Sequence, residues 1–241
     1  MRRVIIVQAR MTSTRLPGKV LMDLAGRPML AQQLRRLKRC ASVDEIVVAT
    51  TVLPSDDAVA DLAGRESVRW FRGDEQDVLS RYAGAAREAH ADVVIRVTAD
   101  CPLISPEVVD RVIDELLAHR DACDYASNTL ERTYPRGLDT EALFADVLDR
   151  ANRLATSAAA REHVTPLIYA ERPDLFLLRS ITDTEHNEDL RWTVDFDADL
   201  QMIRALYEQL DLERADLSHH QIAAWLRDHP DVMQINAHAG R

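Results

Sequence analysis

The sequence predicts an α/β fold built on a mostly parallel sheet with helices on both faces. Four short strand-like runs fall at residues 4–7, 45–50, 68–71 and 92–97, and the first, second and fourth are largely apolar rather than alternating, as strands buried on both faces are. Each run is followed in the chain by a segment with helical spacing, and strand–helix units repeated in this way build a parallel sheet. The first run empties into a loop carrying Arg10, Arg15 and Lys19, and open parallel sheets present anion sites at such strand ends.

The elements follow in order. Residues 28–40 read as a helix, with Met29, Leu30, Leu34 and Leu37 inward and Arg35, Arg36, Lys38 and Arg39 outward. EIVVAT at 45–50 is a buried strand. The helix at 55–63 takes Ser55 as its N-cap, with Asp56 and Asp57 favourable in the first turn. A strand at 68–71, a helix at 76–89, the strand DVVIRV at 92–97 and a helix at 106–119 complete the regular half. Beyond it, strands at 124–128 and 138–141 flank a loop with Tyr134, Pro135 and Gly137. Helices at 144–154 and 157–169, strands at 175–181 and 192–194, and helices at 200–210 and 219–229 follow. Without a repeat or a long linker, residues 1–241 form a single domain in which 124–185 reads as an insertion, capping a site or building a dimer interface.

Composition narrows the function classes. A net charge of −10 argues against nucleic-acid binding, which needs a basic surface. No apolar stretch approaches the roughly 20 residues of a bilayer span, and no secretory h-region follows Met1, so the expectation is a soluble, cytoplasmic protein with no membrane partner. Cys40, Cys101 and Cys123 have no metal-knuckle or disulfide spacing.

Four constellations carry the chemistry. Arg10, Ser13, Arg15 and Lys19 put three cations within ten residues on an acidic chain, which suits a polyphosphate better than a lone carboxylate; the alternative is a solvated basic loop. Neither GxxxxGK[ST] nor GxGxxG is present, so side chains rather than a glycine cradle would neutralise it. Asp100, in TADCPL after the fourth apolar run, sits where a carboxylate can hold Mg²⁺ together with phosphate oxygens; the alternative is a turn before Pro102. In WTVDFDADL, Asp195 ends a strand and is the better candidate for a second metal ligand, the alternative being a plain first-turn acid, while Asp197 or Asp199 caps the following helix. RGDEQDVL faces a nucleobase or is capped by Asp74, and Thr50 and Thr51 occupy a matching rim position. His219 and His220, adjacent on a helix, lack the spacing of a zinc pair and read as structural or exposed; His163 reads as a core or surface histidine more readily than as a catalytic base.

Taken together these blocks resemble a known family. AR-x-x-S-x-RLPGK at 9–19 is similar to the N-terminal signature of the acylneuraminate and KDO cytidylyltransferases, in the branch named after the spore-coat polysaccharide protein SpsF. RGDEQDVLSRY, VTADCPLI, YPRGLDTEAL, REHVTPLIY and LRWTVDFDADL match further blocks in order, so the likeness spans nearly the whole chain. The resemblance implies a Rossmann-like nucleotide-diphospho-sugar transferase fold. It implies a Mg²⁺-dependent enzyme that couples CTP to an acidic, nonulosonate-like sugar for surface polysaccharide synthesis, working as a homodimer. On that basis Arg10, Arg15 and Lys19 are triphosphate ligands, Asp100 and Asp195 the magnesium pair, and Thr50, Gly73 and Asp74 line the base and ribose pocket. Arg136, Asp139, Glu141, Arg161 and His163 then recognise the acceptor. Two departures stand out. The family's VDTPEDL is VDFDADL here, and the GDEP of the KDO enzymes is ADCP, which disfavours KDO itself. Three alternatives stand beside this reading: a glycosyltransferase using Asp195-Phe196-Asp197 as a DxD motif, a non-catalytic nucleotide-binding protein, and a uridylyl- or guanylyltransferase.

Overall fold

The apolar runs at 4–7, 45–50 and 92–97 form neighbouring inner strands of a seven-stranded sheet in the computed structural model, which describes residues 1–239, and the run at 68–71 lies at its edge with partly exposed side chains. In chain order the strands are β1 (Arg3–Gln8), β2 (Asp23–Leu24), β3 (Arg27–Pro28), β4 (Glu45–Thr51), β5 (Arg69–Gly73), β6 (Val93–Thr98), β7 (Tyr125–Ser127), β8 (Glu141–Phe144) and β9 (Leu178–Ser180). The main sheet runs β5-β4-β1-β6-β8-β7-β9, and β2 pairs with β3 in a separate hairpin. Within the main sheet only β8 is reversed, antiparallel to both β6 and β7. Val4, Ile5, Ile6 and Val7 have no exposed surface, which is why their run is not interrupted by polar residues. The chain winds from β1 through β4 to β5, then returns to place β6 on the other side of β1. That reversal opens a crevice at the carboxyl ends of β1 and β6.

The crossover helices are α1 (Met29–Leu37), α2 (Asp57–Arg65), α3 (Val78–Glu88) and α4 (Pro106–Ala118). They are followed by α5 (Ala145–Leu154), α6 (Ala158–His163), α7 (Asp197–Gln209), α8 (His219–Asp228) and α9 (Pro230–Met233). Among the described residues, no helix is long and apolar enough to cross a membrane.

Several expectations change in detail. Residues 124–185 do not stand apart as a cap: β7, β8 and β9 continue the main sheet, and Tyr125, Ala142 and Ile168 share its apolar core. The strand expected at 138–141 begins three residues later, because the Asn128 side chain takes its place in the ladder, donating to Leu138 O (2.8 Å) and accepting from Thr140 N (2.8 Å). The helix expected at 157–169 stops at His163. Pro166 has no N–H to continue it, and Val164 turns the chain at φ 73° and ψ −55°, with Thr165 N donating to His163 O at 2.9 Å. Arg36, expected outward, is buried and donates to Ile104 O at 2.8 Å.

The segment 192–194 is extended but joins no strand; a single bridge links Arg136 and Arg191. Gly137 explains how the chain gets that close. Its φ is 109°, and a Cβ there would lie 2.6 Å from Thr193 N and Trp192 C. The contact closes a second apolar cluster, in which Tyr134, Leu138, Trp192 and Val194 pack against Leu200, Ile203 and Leu206 of α7 and Ile222 and Leu226 of α8. Gly137→Ala is therefore expected to cost about 3 kcal/mol or more, from backbone overlap plus a disfavoured φ. Gly26→Ala, at φ 78° but facing open space, should cost only about 1 kcal/mol. Urea denaturation of the two variants checks the contrast.

Candidate active site

The crevice is shaped by the loop after β1. Met11 N donates to Asp56 Oδ1 at 2.6 Å, and Asp56 is wholly buried against the Thr51 hydroxyl. Met11 O accepts from both Ser13 N (3.0 Å) and Gly18 N (2.9 Å), so the loop folds back on itself. Gly18, left-handed at φ 73°, then starts the 3₁₀ turn Lys19–Leu21 and sends Lys19 under the loop. Gln8, Ala9, Arg10, Ser13, Arg15, Lys19, Arg81, Arg96, Thr98, Asp100, Glu162 and His163 border the resulting cleft of about 350 Å³.

Its electrostatic centre is the Lys19 ammonium. Nζ lies 3.0 Å from Asp100 Oδ2, 3.0 Å from Asp195 Oδ1 and 2.7 Å from Val194 O. Arg15 donates to the same Asp195 oxygen at 2.7 Å and lies over the Phe196 ring. Arg191 donates to Asp195 Oδ2 at 2.9 Å and clamps Asp199 through both oxygens, at 2.9 and 3.1 Å. Burial works against the Lys19 charge, yet Asp100 and Asp195 outweigh it and hold its pKa above the ordinary lysine value. Burial likewise opposes ionisation of Asp100, but Lys19 and the Thr98 hydroxyl keep it below the usual carboxylate range. The fold thus brings Arg15, Lys19, Asp100 and Asp195 into one cluster.

The other expected residues are distributed differently. Arg10 borders the cleft, 3.9 Å from Glu75, and Ser13 lies beside it. Thr50 is wholly buried with an unpartnered hydroxyl, so it does not reach the cleft surface. Asp74 closes the turn after Gly73, accepting from Gln76 N (2.7 Å) and Asp77 N (2.8 Å), and Asp77 rather than Asp74 caps α3 through Ser80 N. His163 faces the cleft, whereas Arg161 ties α6 to Asn152 (2.7 Å) and Asp77. Glu141 is buried in an ion pair with Arg96 and accepts from Tyr125 at 2.9 Å. Asp139 is clamped by Arg132 at 2.6 and 3.0 Å, and Arg136 borders a separate cavity with Arg191, Trp192 and Asn236.

The aspartates after Val194 separate cleanly. Asp199, not Asp197, closes the start of α7, accepting from Asp195 N and Phe196 N at 3.0 Å each. Asp197 is exposed and bonds Gln201, away from the lysine cluster, so Asp195 and Asp197 do not act as one DxD unit. His219 and His220 sit at the start of α8 with both Nε2 atoms on Asp183, at 3.0 and 2.8 Å. Sequence reasoning passed over Arg81, Arg96 and Arg191. The first two carried a signal: each is a cation on the buried face of an apolar element, α3 and β6.

A family model for cytidylyltransferases matches residues 4–222. The chain belongs to the cytidylyltransferase family and is a nucleotidyltransferase enzyme. It is 33% identical over 235 residues to the spore coat polysaccharide biosynthesis protein SpsF of Bacillus subtilis, covering 94% of this chain and 95% of that one. A cytidylyltransferase from Leptospira borgpetersenii superposes with a TM-score of 0.91 at 28% identity, covering 97% of both chains. A CMP:2-keto-3-deoxy-manno-octonic acid synthetase complexed with CTP shares the fold, with a TM-score of 0.67 at 22% identity over 87% of this chain and 100% of that one.

Asp199 carries the scaffold of this charge cluster. It has no exposed surface, and although burial opposes its charge, Arg191, two backbone N–H groups and Asn236 hold its pKa below the usual range. Such a group stabilises the fold fully above its unfolded value of about 3.9, and the contribution is lost as pH falls through the lower folded value. Asp199→Asn should cost about 3–5 kcal/mol near pH 6, because it takes away the wholly buried carboxylate that Arg191 clamps and leaves Arg191 only Asp195, which Lys19 and Arg15 already share. The variant should also lose less stability than the wild type between pH 5 and pH 2, as followed by denaturant titration.

Proposed function

We propose that this enzyme transfers a cytidylyl group from CTP to an acidic sugar of the nonulosonate class, giving a CMP-sugar and pyrophosphate for surface polysaccharide synthesis. The observation that carries the reading is the basic loop at 10–19 facing Asp100 and Asp195 across the crevice between β1 and β6. An acceptor hydroxyl oxygen attacks the α-phosphorus of CTP, the bond to the bridging oxygen of the β-phosphate breaks, and the hydroxyl proton passes to solvent. Arg10, Arg15 and Lys19 bind the β- and γ-phosphates and stabilise the charge that grows on departing pyrophosphate.

Asp100 and Asp195 are the residues that would hold Mg²⁺. Their fit is supported by two carboxylates already sharing one cation, the Lys19 ammonium, in an all-oxygen setting with Val194 O. The ion would neutralise the α-phosphate and acidify the attacking hydroxyl. His163 and Arg96, which share the cleft lining, support acceptor binding on that side, with Glu141 fixing the Arg96 guanidinium. Exposed Leu154, Tyr169, Leu175 and Leu177 on the 124–185 region support pairing of two copies through it. The relationship to the spore coat protein supports the polysaccharide role.

Asp100→Asn should abolish pyrophosphate release with CTP and Mg²⁺ while leaving the circular dichroism spectrum unchanged; near-normal turnover would remove Asp100 from the site. Lys19→Ala should lower kcat by about 10²–10³-fold and weaken CTP binding far more than CMP binding. Equal losses for the two nucleotides would argue against a β/γ-phosphate role. Pyrophosphate release measured with CTP, UTP, GTP and ATP over a panel of acidic sugars identifies base and acceptor, and turnover with UTP or GTP in preference to CTP would overturn the assignment.

A further inference from the structure

We propose that Lys19 is a displaceable counter-cation, occupying the space between Asp100 and Asp195 until a nucleoside triphosphate draws it away, so that divalent metal and nucleotide enter together. This inference rests on the metal reading above.

An ammonium has three N–H donors, and all three of Lys19 are committed, to Asp100 Oδ2, Asp195 Oδ1 and Val194 O. As held here Lys19 has no donor left for a phosphate. The carboxylate oxygens are equally committed. Asp100 Oδ1 accepts from the Thr98 hydroxyl at 2.6 Å, Asp195 Oδ1 takes both Lys19 and Arg15, and Asp195 Oδ2 takes Arg191. Charge is matched as well: Asp100, Asp195 and Asp199 face Lys19, Arg15 and Arg191. A divalent ion entering this cluster alone would find no uncommitted oxygen and would leave buried positive charge without a partner, which is costly. A triphosphate brings the missing negative charge and offers Lys19 and Arg15 new acceptors.

The three cations are not held alike. Arg191 is anchored by both oxygens of wholly buried Asp199, so it keeps Asp195 oriented. Arg15 is half exposed, with a side-chain exposure of 54%. Lys19 has a flexible four-carbon stem and follows left-handed Gly18. Arg15 and Lys19 are therefore the cations that exchange, and Arg191 is the one that stays.

Nucleotide-free protein titrated with Mn²⁺ and followed by electron paramagnetic resonance tests this. Wild type should take up no Mn²⁺ at micromolar concentration. Lys19→Met, which removes the charge and keeps the bulk, should bind a single Mn²⁺ about tenfold or more tightly than wild type, and the added change Asp100→Asn should abolish that binding. Saturable, Asp100-dependent Mn²⁺ binding by nucleotide-free wild type overturns the proposal, and this arm needs no variant at position 19 to fold. Retention of CTP on dialysis with and without Mn²⁺ tests the underlying reading separately. If Mn²⁺ raises CTP retention by wild type but not by Asp100→Asn, while Lys19→Met takes up no more Mn²⁺ than wild type, the exchange fails and the metal assignment stands. If Asp100→Asn keeps the Mn²⁺-dependent gain in retention, the metal assignment itself fails.

Discussion

A lysine ammonium held between two aspartates is the interaction on which the rest of the site depends. Lys19 and Asp195 lie 176 residues apart in the chain, and Asp100 comes from between them at the end of β6. None of these charges could be taken out of water alone, since an unpaired buried ion costs several kcal/mol. Each is tolerated because the other two arrive, so the amino-terminal loop, the central strand and the approach to α7 must all be in place together. Arg191 and Asp199 extend the same logic outward and fix the side of Asp195 that Lys19 does not reach.

The sheet supplies the position and the loops supply the chemistry. Because β6 returns to the far side of β1, the ends of both strands open into one crevice, and the loop after β1 lies directly over it. Asp56 keeps that loop in place by accepting from Met11 N while buried against Thr51. On the opposite wall, Glu162 and His163 reach the cleft because Val164 and Pro166 end α6 there. A strained turn beside a cleft residue is a common way for a fold to present a side chain that a regular helix would carry past its target.

The division of labour among the aspartates of 195–199 follows from helix geometry. Asp199, in the first turn of α7, bonds backward to the N–H groups of Asp195 and Phe196 and so cannot also face the cleft. Asp197 projects into solvent. Asp195 alone, before the helix begins, is left to meet Lys19. The departure from the family's usual sequence at Asp197 therefore leaves the charge cluster unaltered, while removing the DxD pattern as an argument for glycosyl transfer.

Much of this was legible in the chain alone. Largely apolar runs specify buried parallel strands because a strand covered on both faces leaves little room for polar side chains, and a cation-rich break after the first run, with Arg10, Arg15 and Lys19, is where an open parallel sheet is expected to present an anion site. Asp100 and Asp195 were visible as carboxylates at the ends of apolar segments. What only the tertiary structure decided is which polar groups meet. Thr50 and Thr51 look alike in sequence, yet both are buried and only Thr51 finds a partner. Arg161 and His163 are two residues apart, yet one braces helices and the other faces the cleft. Arg191 shows no periodic signal, since its role comes from contacts with Asp195 and Asp199 rather than from its place in an element. Local sequence sets apolar periodicity and turn chemistry, which act over a few residues. Pairing of buried charges acts across the whole chain, and is settled only when the strands have brought their ends together.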